Sequence, residues 1–133
     1  MSKTMSEAGQ GYVQLFVYRV PNKDRDAMQK LLKDIADMLM RHGTLYSEFY
    51  RVYSPEAFQG FTSILNTFSS TPDEEVWIEL DHYKGRSQRD QAMAGIGKDS
   101  SAGPLFKQLR GLVSEGYSIV MGELDGIRML EPA

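Results

Sequence analysis

Short stretches rich in aromatic and β-branched residues mark the strands of this chain. The first reads YVQLFVYRV over residues 12–20 and stops at Pro21, a composition and an ending typical of a β-strand. Three further stretches of the same kind follow. They predict strands over residues 46–53, 76–82 and 117–124.

Apolar residues recur at spacings of three and four after the first strand, and this period predicts a helix over residues 23–42. Asn22 can accept from the first free backbone amides, and Gly43 can adopt the left-handed turn that closes a helix. The apolar stripe consists of Met28, Leu31, Leu32, Ile35, Met38 and Leu39. We expect this stripe to pack on the sheet.

Two shorter helices are predicted between the last two strands, over residues 86–97 and 104–115. The sequence does not decide the conformation of the connection over residues 54–75, for which two interpretations remain. Ser54 and Pro55 can begin a short helix, whereas the β-branched residues further along favour an extended chain. Because long unstructured loops are uncommon inside a domain, we expect a packed excursion, a lid or a dimer contact.

The order strand, helix, strand, strand, helix, strand predicts an α+β fold of the ferredoxin-like βαββαβ type with a four-stranded antiparallel sheet. Right-handed crossovers place the helices on one face of that sheet. A chain of 133 residues leaves room for one domain. We assign it to residues 12–126, after a flexible N-terminal arm over residues 1–11 and before a C-terminal tail over residues 127–133.

Alternation along the strands separates two faces of the predicted sheet. The aliphatic face carries Val13, Leu15, Val17, Val76, Ile78, Leu80, Val120 and Leu124, and we expect it to pack beneath the helices. The aromatic face carries Tyr12, Gln14, Phe16, Tyr18, Trp77, Glu79, Asp81, Tyr117, Ile119, Met121 and Glu123. It is too apolar to face water. We therefore predict a homodimer in which two such faces enclose a barrel interior, either a ligand cavity or a packed dimer core.

Composition and charge exclude several classes of site and partner. The chain has no cysteine, which excludes thiolate nucleophiles, zinc–cysteine sites and iron–sulfur clusters. Its net charge is −3, and the third strand carries Glu79 and Asp81 where an RNA-binding sheet needs basic and aromatic residues. Nucleic acid is therefore not an expected partner. No apolar stretch is long enough to span a bilayer and none resembles a signal peptide, so we expect no membrane partner and a cytoplasmic location.

Two acidic residues are the candidates for catalysis. Glu79 and Asp81 lie two apart on a strand and so share a side with Trp77, and carboxylates beside an aromatic wall can act as acid or base. The alternative is a pair of rim residues matched to Arg or Lys across the dimer. We name these two as catalytic candidates. The candidate ligand-binding residues are Tyr12, Gln14, Phe16, Tyr18, Trp77, Met121, Arg86 and Arg89.

Basic residues and histidines give weaker indications. Arg86 and Arg89 stand near the start of the predicted helix over residues 86–97, where free amides attract anions. They can hold an acidic group of a ligand or form a solvated rim paired with acidic neighbours. His82 points away from Glu79 by alternation, and His42 suits the negative end of its helix. We predict no metal and no cofactor.

The residues also resemble a known family, the YbaA-like bacterial proteins of unknown function. The resemblance spans most of residues 12–126, with its most specific part from Thr62 to Asp90. The shared positions are Tyr12-Val13, Val20-Pro21, Lys23, His42-Gly43, Leu45, Thr62-Ser63, Pro72-Asp73-Glu74, Tyr83, Arg86, Arg89-Asp90 and Gly122. Leu65, Gly85 and Gln88 depart from the family pattern, which tends to have Pro, Ser and His there.

That family belongs to the dimeric α+β barrel superfamily, together with monooxygenases of antibiotic biosynthesis. The resemblance implies a homodimeric barrel and no particular activity, since the wider superfamily includes cofactor-independent oxygenases, haem-degrading enzymes and small-molecule-binding proteins. Our hypothesis is a dimer that binds a small organic molecule in the barrel interior, in the manner of a cofactor-independent monooxygenase. The alternative is a non-catalytic dimeric assembly or regulatory module, which leaves open whether the protein is an enzyme.

Overall fold

Four strands form one antiparallel sheet in the computed structural model, which describes residues 11–53, 58–68, 70–114 and 119–127. The strands are β1 (Tyr12–Pro21), β2 (Tyr46–Arg51), β3 (Glu74–Tyr83) and β4 (Val120–Asp125). Their order across the sheet is β2-β3-β1-β4, and every neighbouring pair is antiparallel. This order confirms the predicted ferredoxin-like α+β fold.

The helices of the described residues follow the predicted order. They are α1 (Arg25–Arg41), α2 (Ile64–Thr67), α3 (Arg86–Gly97) and α4 (Ala102–Leu112). A 3₁₀ turn over Asn22–Asp24 precedes α1, so the regular helix starts two residues later than predicted. Gly43 has φ +110°, the left-handed conformation expected after the end of α1. All six residues of the apolar stripe are buried.

The connection that the sequence left open contains one short helix within its described part. The Ser63 hydroxyl accepts from the backbone N–H of Leu65 at 3.1 Å and so caps the start of α2. The helical start expected at Ser54 and Pro55 lies outside the described residues. Most of the predicted terminal arm and tail, and Tyr117, also lie outside them.

The aromatic face of the sheet is the one that the helices cover, and our prediction of the opposite arrangement is wrong. Tyr18 pairs with Trp77 across β1 and β3. Both belong to one buried cluster with the apolar stripe of α1 and with Ile96 and Leu109 of α3 and α4. The long aromatic side chains fill the space between sheet and helices, so this chain rather than a second copy covers them.

The opposite face, which we call the open face, carries the aliphatic residues of β1, β3 and β4. Val13, Leu15, Ile78 and Leu80 are half-buried along its middle. Towards its edges, Tyr46, Tyr50, Val120 and Leu124 are 45–49% exposed. An apolar sheet surface of this kind is the part of the fold that suits a second subunit.

Candidate functional site

A cavity of about 370 Å³ lies between the sheet and helices α1, α3 and α4. Small-molecule sites usually measure about 300–1,000 Å³ and are mostly apolar with a few polar groups. The apolar walls of this cavity consist of Phe16, Ile35, Leu39, Met93, Ile96, Phe106, Leu109, Ile119 and Met121. Its polar lining consists of Gln14, Tyr18, Glu79, Asp81, Arg89 and Arg110. The cavity has the size and character of a site for a small organic ligand.

Two carboxyl groups form the buried end of the cavity. Glu79 and Asp81 lie two apart on β3 and face the helices, where they are only 4% and 2% exposed. The Tyr18 hydroxyl donates to Glu79 Oε1 at 3.2 Å, and the Ser47 hydroxyl donates to Asp81 Oδ1 at 2.6 Å. We refer to Glu79 and Asp81 as the carboxyl pair.

Burial changes the acidity of this pair. Desolvation, followed by the nearby charge of Asp81, raises the pKa of Glu79 well above its ordinary value. Desolvation also raises the pKa of Asp81, although hydrogen bonds from Glu79 and Ser47 act in the other direction. A hydrogen bond between the two carboxyl groups requires that one of them is protonated, so the pair favours holding a shared proton. The two groups titrate together and keep one proton at a pH where free carboxyls have lost theirs.

A second set of hydrogen bonds joins Gln14 to Tyr83 and to Arg89 beside the carboxyl pair. The neighbours of the Gln14 amide fix its orientation, with Nε2 donating to the Tyr83 hydroxyl at 3.1 Å. Its oxygen then accepts from Nε and Nη2 of Arg89 at 3.0 and 3.1 Å. Arg89 also contacts Glu123 at 3.2 Å and Asp90 at 3.1 Å. The positive charge of Arg89 is therefore already matched by carboxylates of this chain.

The raised pKa of the carboxyl pair predicts how stability depends on pH. We expect the free energy of unfolding to fall as the pH rises above 4.5, the ordinary pKa of Glu79. The unfolded chain then loses a proton that the folded chain still holds, and this linkage favours unfolding with each further rise in pH until the folded pair ionises. Urea unfolding between about pH 5 and about pH 8 measures the slope.

The Glu79→Gln substitution is the control for this slope, because it removes the proton from the pair and should flatten the decline. Asp99 acts in another pH range. Its hydrogen bonds with His42 and Ser101 hold its pKa below the ordinary value, so its contribution is lost as the pH falls below about 4. A decline above pH 4.5 that is equally steep in the Glu79→Gln variant would contradict the prediction.

The structure brings most of the predicted site residues together. The carboxyl pair lines the cavity with five of the predicted ligand-binding residues, namely Gln14, Phe16, Tyr18, Arg89 and Met121. They lie on the helix side of the sheet, so the predicted location between two facing sheets is wrong for them. The alternation that grouped these residues on one face was correct. The error arose because the helices cover the aromatic face and not the aliphatic one.

Three predicted ligand-binding residues lie elsewhere. The Tyr12 side chain is buried against Tyr83 and Ala92, and its hydroxyl donates to a Glu123 carboxylate oxygen. Trp77 is part of the buried core, and its Nε1 donates to Glu75 at 3.1 Å. Arg86 is exposed and does not line the cavity.

Sequence reasoning missed the helix residues that complete the cavity and one polar group behind its lining. Met93, Phe106 and Arg110 come from α3 and α4, whose apolar positions predicted only a core. Ser47 bonds to Asp81 because it pairs with that residue between β2 and β3. Aligning the predicted second and third strands residue by residue could have identified Ser47 as the partner of Asp81.

The two histidines lie apart from the cavity. His82 is on the open face, where its Nε2 lies 2.6 Å from Glu48 Oε1 and its ring stacks on Tyr46 at 4.2 Å. His42 Nε2 lies 2.7 Å from Asp99 Oδ2 at the end of α1. Within the described ranges, no group of three His, Cys, Asp or Glu residues is placed to hold a metal ion. No helix in the same ranges is long and apolar enough to cross a membrane.

Comparison with known proteins identifies the family. Residues 11–109 match a family described as proteins of unknown function, DUF1428. The chain belongs to the DUF1428 family. No curated protein matches this DUF1428 chain.

Solved structures similar to this DUF1428 protein share its fold at low identity. A conserved protein from Methanosarcina mazei Go1 aligns with a TM-score of 0.62 and 10% identity over 92% of this chain and 99% of that chain. A dimeric ferredoxin-like protein from an uncultured marine organism aligns with a TM-score of 0.60 and 11% identity, over 91% and 99%. SnoaB, a cofactor-independent oxygenase from Streptomyces nogalater, aligns with a TM-score of 0.55 and 9% identity, over 92% and 99%. At these identities the likeness shows the fold alone.

Proposed function

We propose that this DUF1428 protein binds a small aromatic molecule in the cavity between sheet and helices and transfers protons to and from it with the carboxyl pair. The observation that carries the proposal is the pair itself, two buried carboxyls that open into a cavity with apolar walls. A carboxyl with a raised pKa is a good general acid or base near neutral pH. A hydrophobic core has no need of such a pair, since burying carboxyls costs free energy.

The reaction that suits this site is oxygenation of a hydroxyaromatic compound without a cofactor. The carboxyl pair accepts the phenolic proton, and the electron-rich anion that forms reacts with O₂. One oxygen atom replaces two hydrogens of the substrate and becomes a quinone oxygen, while the other leaves as water with those hydrogens. The proposal draws support from the fold that this chain shares with SnoaB, a cofactor-independent oxygenase.

We also propose that the protein is a homodimer joined through the open face, so that each subunit keeps its own cavity. The apolar residues of the open face and the dimeric ferredoxin-like neighbour support this assembly. The finer assignment to the YbaA-like group and a cytoplasmic location remain proposals as well.

Oxygen uptake by the purified protein tests the catalytic proposal. Naphthols are incubated with the protein, and O₂ consumption is recorded together with the absorbance of the quinone formed. The control is Met93→Trp, which fills the cavity from α3. We expect turnover by the wild type above the uncatalysed rate and its loss in the variant.

The same compounds are tested for a shift in melting temperature, which separates binding from catalysis. Binding without turnover would overturn the oxygenase reaction. Neither binding nor turnover would overturn the ligand site and favour the alternative of a non-catalytic dimeric module, because the open face provides for assembly by itself.

A further inference from the structure

Arg110 is the exposed member of the cavity's polar lining. It belongs to the last turn of α4 and lines the cavity while remaining exposed, whereas Glu79 and Asp81 are almost fully buried. The polar lining therefore combines a buried acidic pair with a solvent-facing cation, and we call the part of the cavity at Arg110 the mouth. Most of the remaining lining is apolar.

Among the described residues, the charge of Arg110 is unmatched, unlike that of the second arginine in the cavity. Arg89 contacts Asp90, Glu123 and the Gln14 amide. Arg110, by contrast, makes no ion pair or hydrogen bond within the part of the chain that the structure describes. A guanidinium group presents several N–H donors in a plane and pairs best with a carboxylate, to which it can donate two parallel hydrogen bonds.

We propose that Arg110 binds the acidic group of the ligand, and that the substrates of this site are aromatic carboxylates. This inference rests on the proposed function of the same cavity and names its substrate class. The carboxylate of the ligand lies at the mouth against Arg110, and the aromatic ring occupies the apolar walls. The ring end then points towards the carboxyl pair, which holds a proton and so repels the ligand less than two ionised groups would.

The same arginine has a simpler role available, since a cation in the last turn of a helix stabilises the helix dipole. That role concerns the helix alone and predicts no difference between charged and neutral ligands. A ligand-binding role predicts such a difference. The two are therefore separated by a pair of ligands with one shape and different charge.

The test is calorimetric titration with 2-naphthoate and with 2-naphthamide, its neutral counterpart of nearly the same shape. We expect the wild type to bind 2-naphthoate about 10-fold more tightly than the amide, as a charge-assisted hydrogen bond provides. Arg110→Gln should remove this preference by weakening 2-naphthoate binding while leaving 2-naphthamide binding unchanged. Arg110→Lys should restore part of the preference.

Two controls complete the experiment. Lys107→Gln removes an exposed charge from the same helix at a position that does not line the cavity, and it should leave the preference intact. Met93→Trp should abolish binding of both ligands, which places them in the cavity. Circular dichroism verifies that each variant is folded.

The experiment distinguishes a failure of the role proposed for Arg110 from a failure of the proposed ligand cavity. Equal binding of both ligands by the wild type, or a preference that persists in Arg110→Gln, would overturn the role of Arg110 and leave the ligand cavity standing. An Arg110→Gln variant that is less stable but equally selective would overturn it too. Binding of neither ligand would overturn the ligand cavity itself, and the inference with it.

Discussion

Replacing Glu79 with Gln is expected to lower kcat/KM for oxygenation of a hydroxyaromatic substrate by about 10²- to 10⁴-fold, the usual contribution of a general acid or base. Gln has nearly the same shape and can still accept from the Tyr18 hydroxyl, so it removes the titrating proton and little else. Oxygen uptake at saturating and at low substrate concentration separates the effect on kcat from the effect on KM.

We do not expect unfolding to cause the loss of activity in the Glu79→Gln variant. A buried carboxyl with a raised pKa costs stability near neutral pH, so the Glu79→Gln protein should be at least as stable as the wild type there. Asp37→Asn is the matched control, because it makes the same change of carboxyl to amide at an exposed position of α1. Wild-type activity in Glu79→Gln, or an equal loss in Asp37→Asn, would contradict the assigned role.

Replacing Leu15 with Lys should dissociate the proposed homodimer. Leu15 pairs with Leu80 and Gly122 near the middle of the open face, where a second subunit would leave the ammonium group without water or a partner. We expect the dissociation constant of the dimer to rise by about 100-fold or more, as for other central interface residues. Sedimentation velocity at micromolar concentration measures this, with 15.0 kDa as the mass of one subunit.

Two further variants make the assembly result specific. Leu124→Lys changes a residue of the open face that is already 45% exposed in the single subunit, so it should weaken the dimer without disturbing the fold. Met40→Lys makes a comparable change on α1, where Met40 is similarly exposed, and should leave the dimer intact. A wild type that sediments as a single subunit would show that the open face tolerates water.

The elements of this protein follow from local patterns. The apolar period over residues 23–42 found α1, because a helix that packs on a sheet must present one apolar stripe. The helix starts later than predicted, because Asn22–Asp24 form a 3₁₀ turn. Such differences at helix ends arise because the first turn has few hydrogen bonds to fix its geometry.

The carboxyl pair shows how far such reasoning reaches into the site. A spacing of two along β3 puts Glu79 and Asp81 on one side of the sheet, whatever covers them. The same reasoning included Trp77, which shares that side but packs in the core away from the cavity. The position along the strand decides this difference. The helices leave a cavity over Glu79 and Asp81 but pack directly on Trp77.

Alternation along β1 and β3 was enough to group Gln14, Tyr18, Glu79 and Asp81, since neighbouring side chains of a strand point to opposite faces. The tertiary structure alone decided that helices cover this group. Both faces are apolar, and the hydrophobic effect favours burying either one without regard to direction. The tertiary structure also brought Arg110 into the same cavity as the carboxyl pair, because residues remote in the chain line one cavity only after the helices have packed on the sheet.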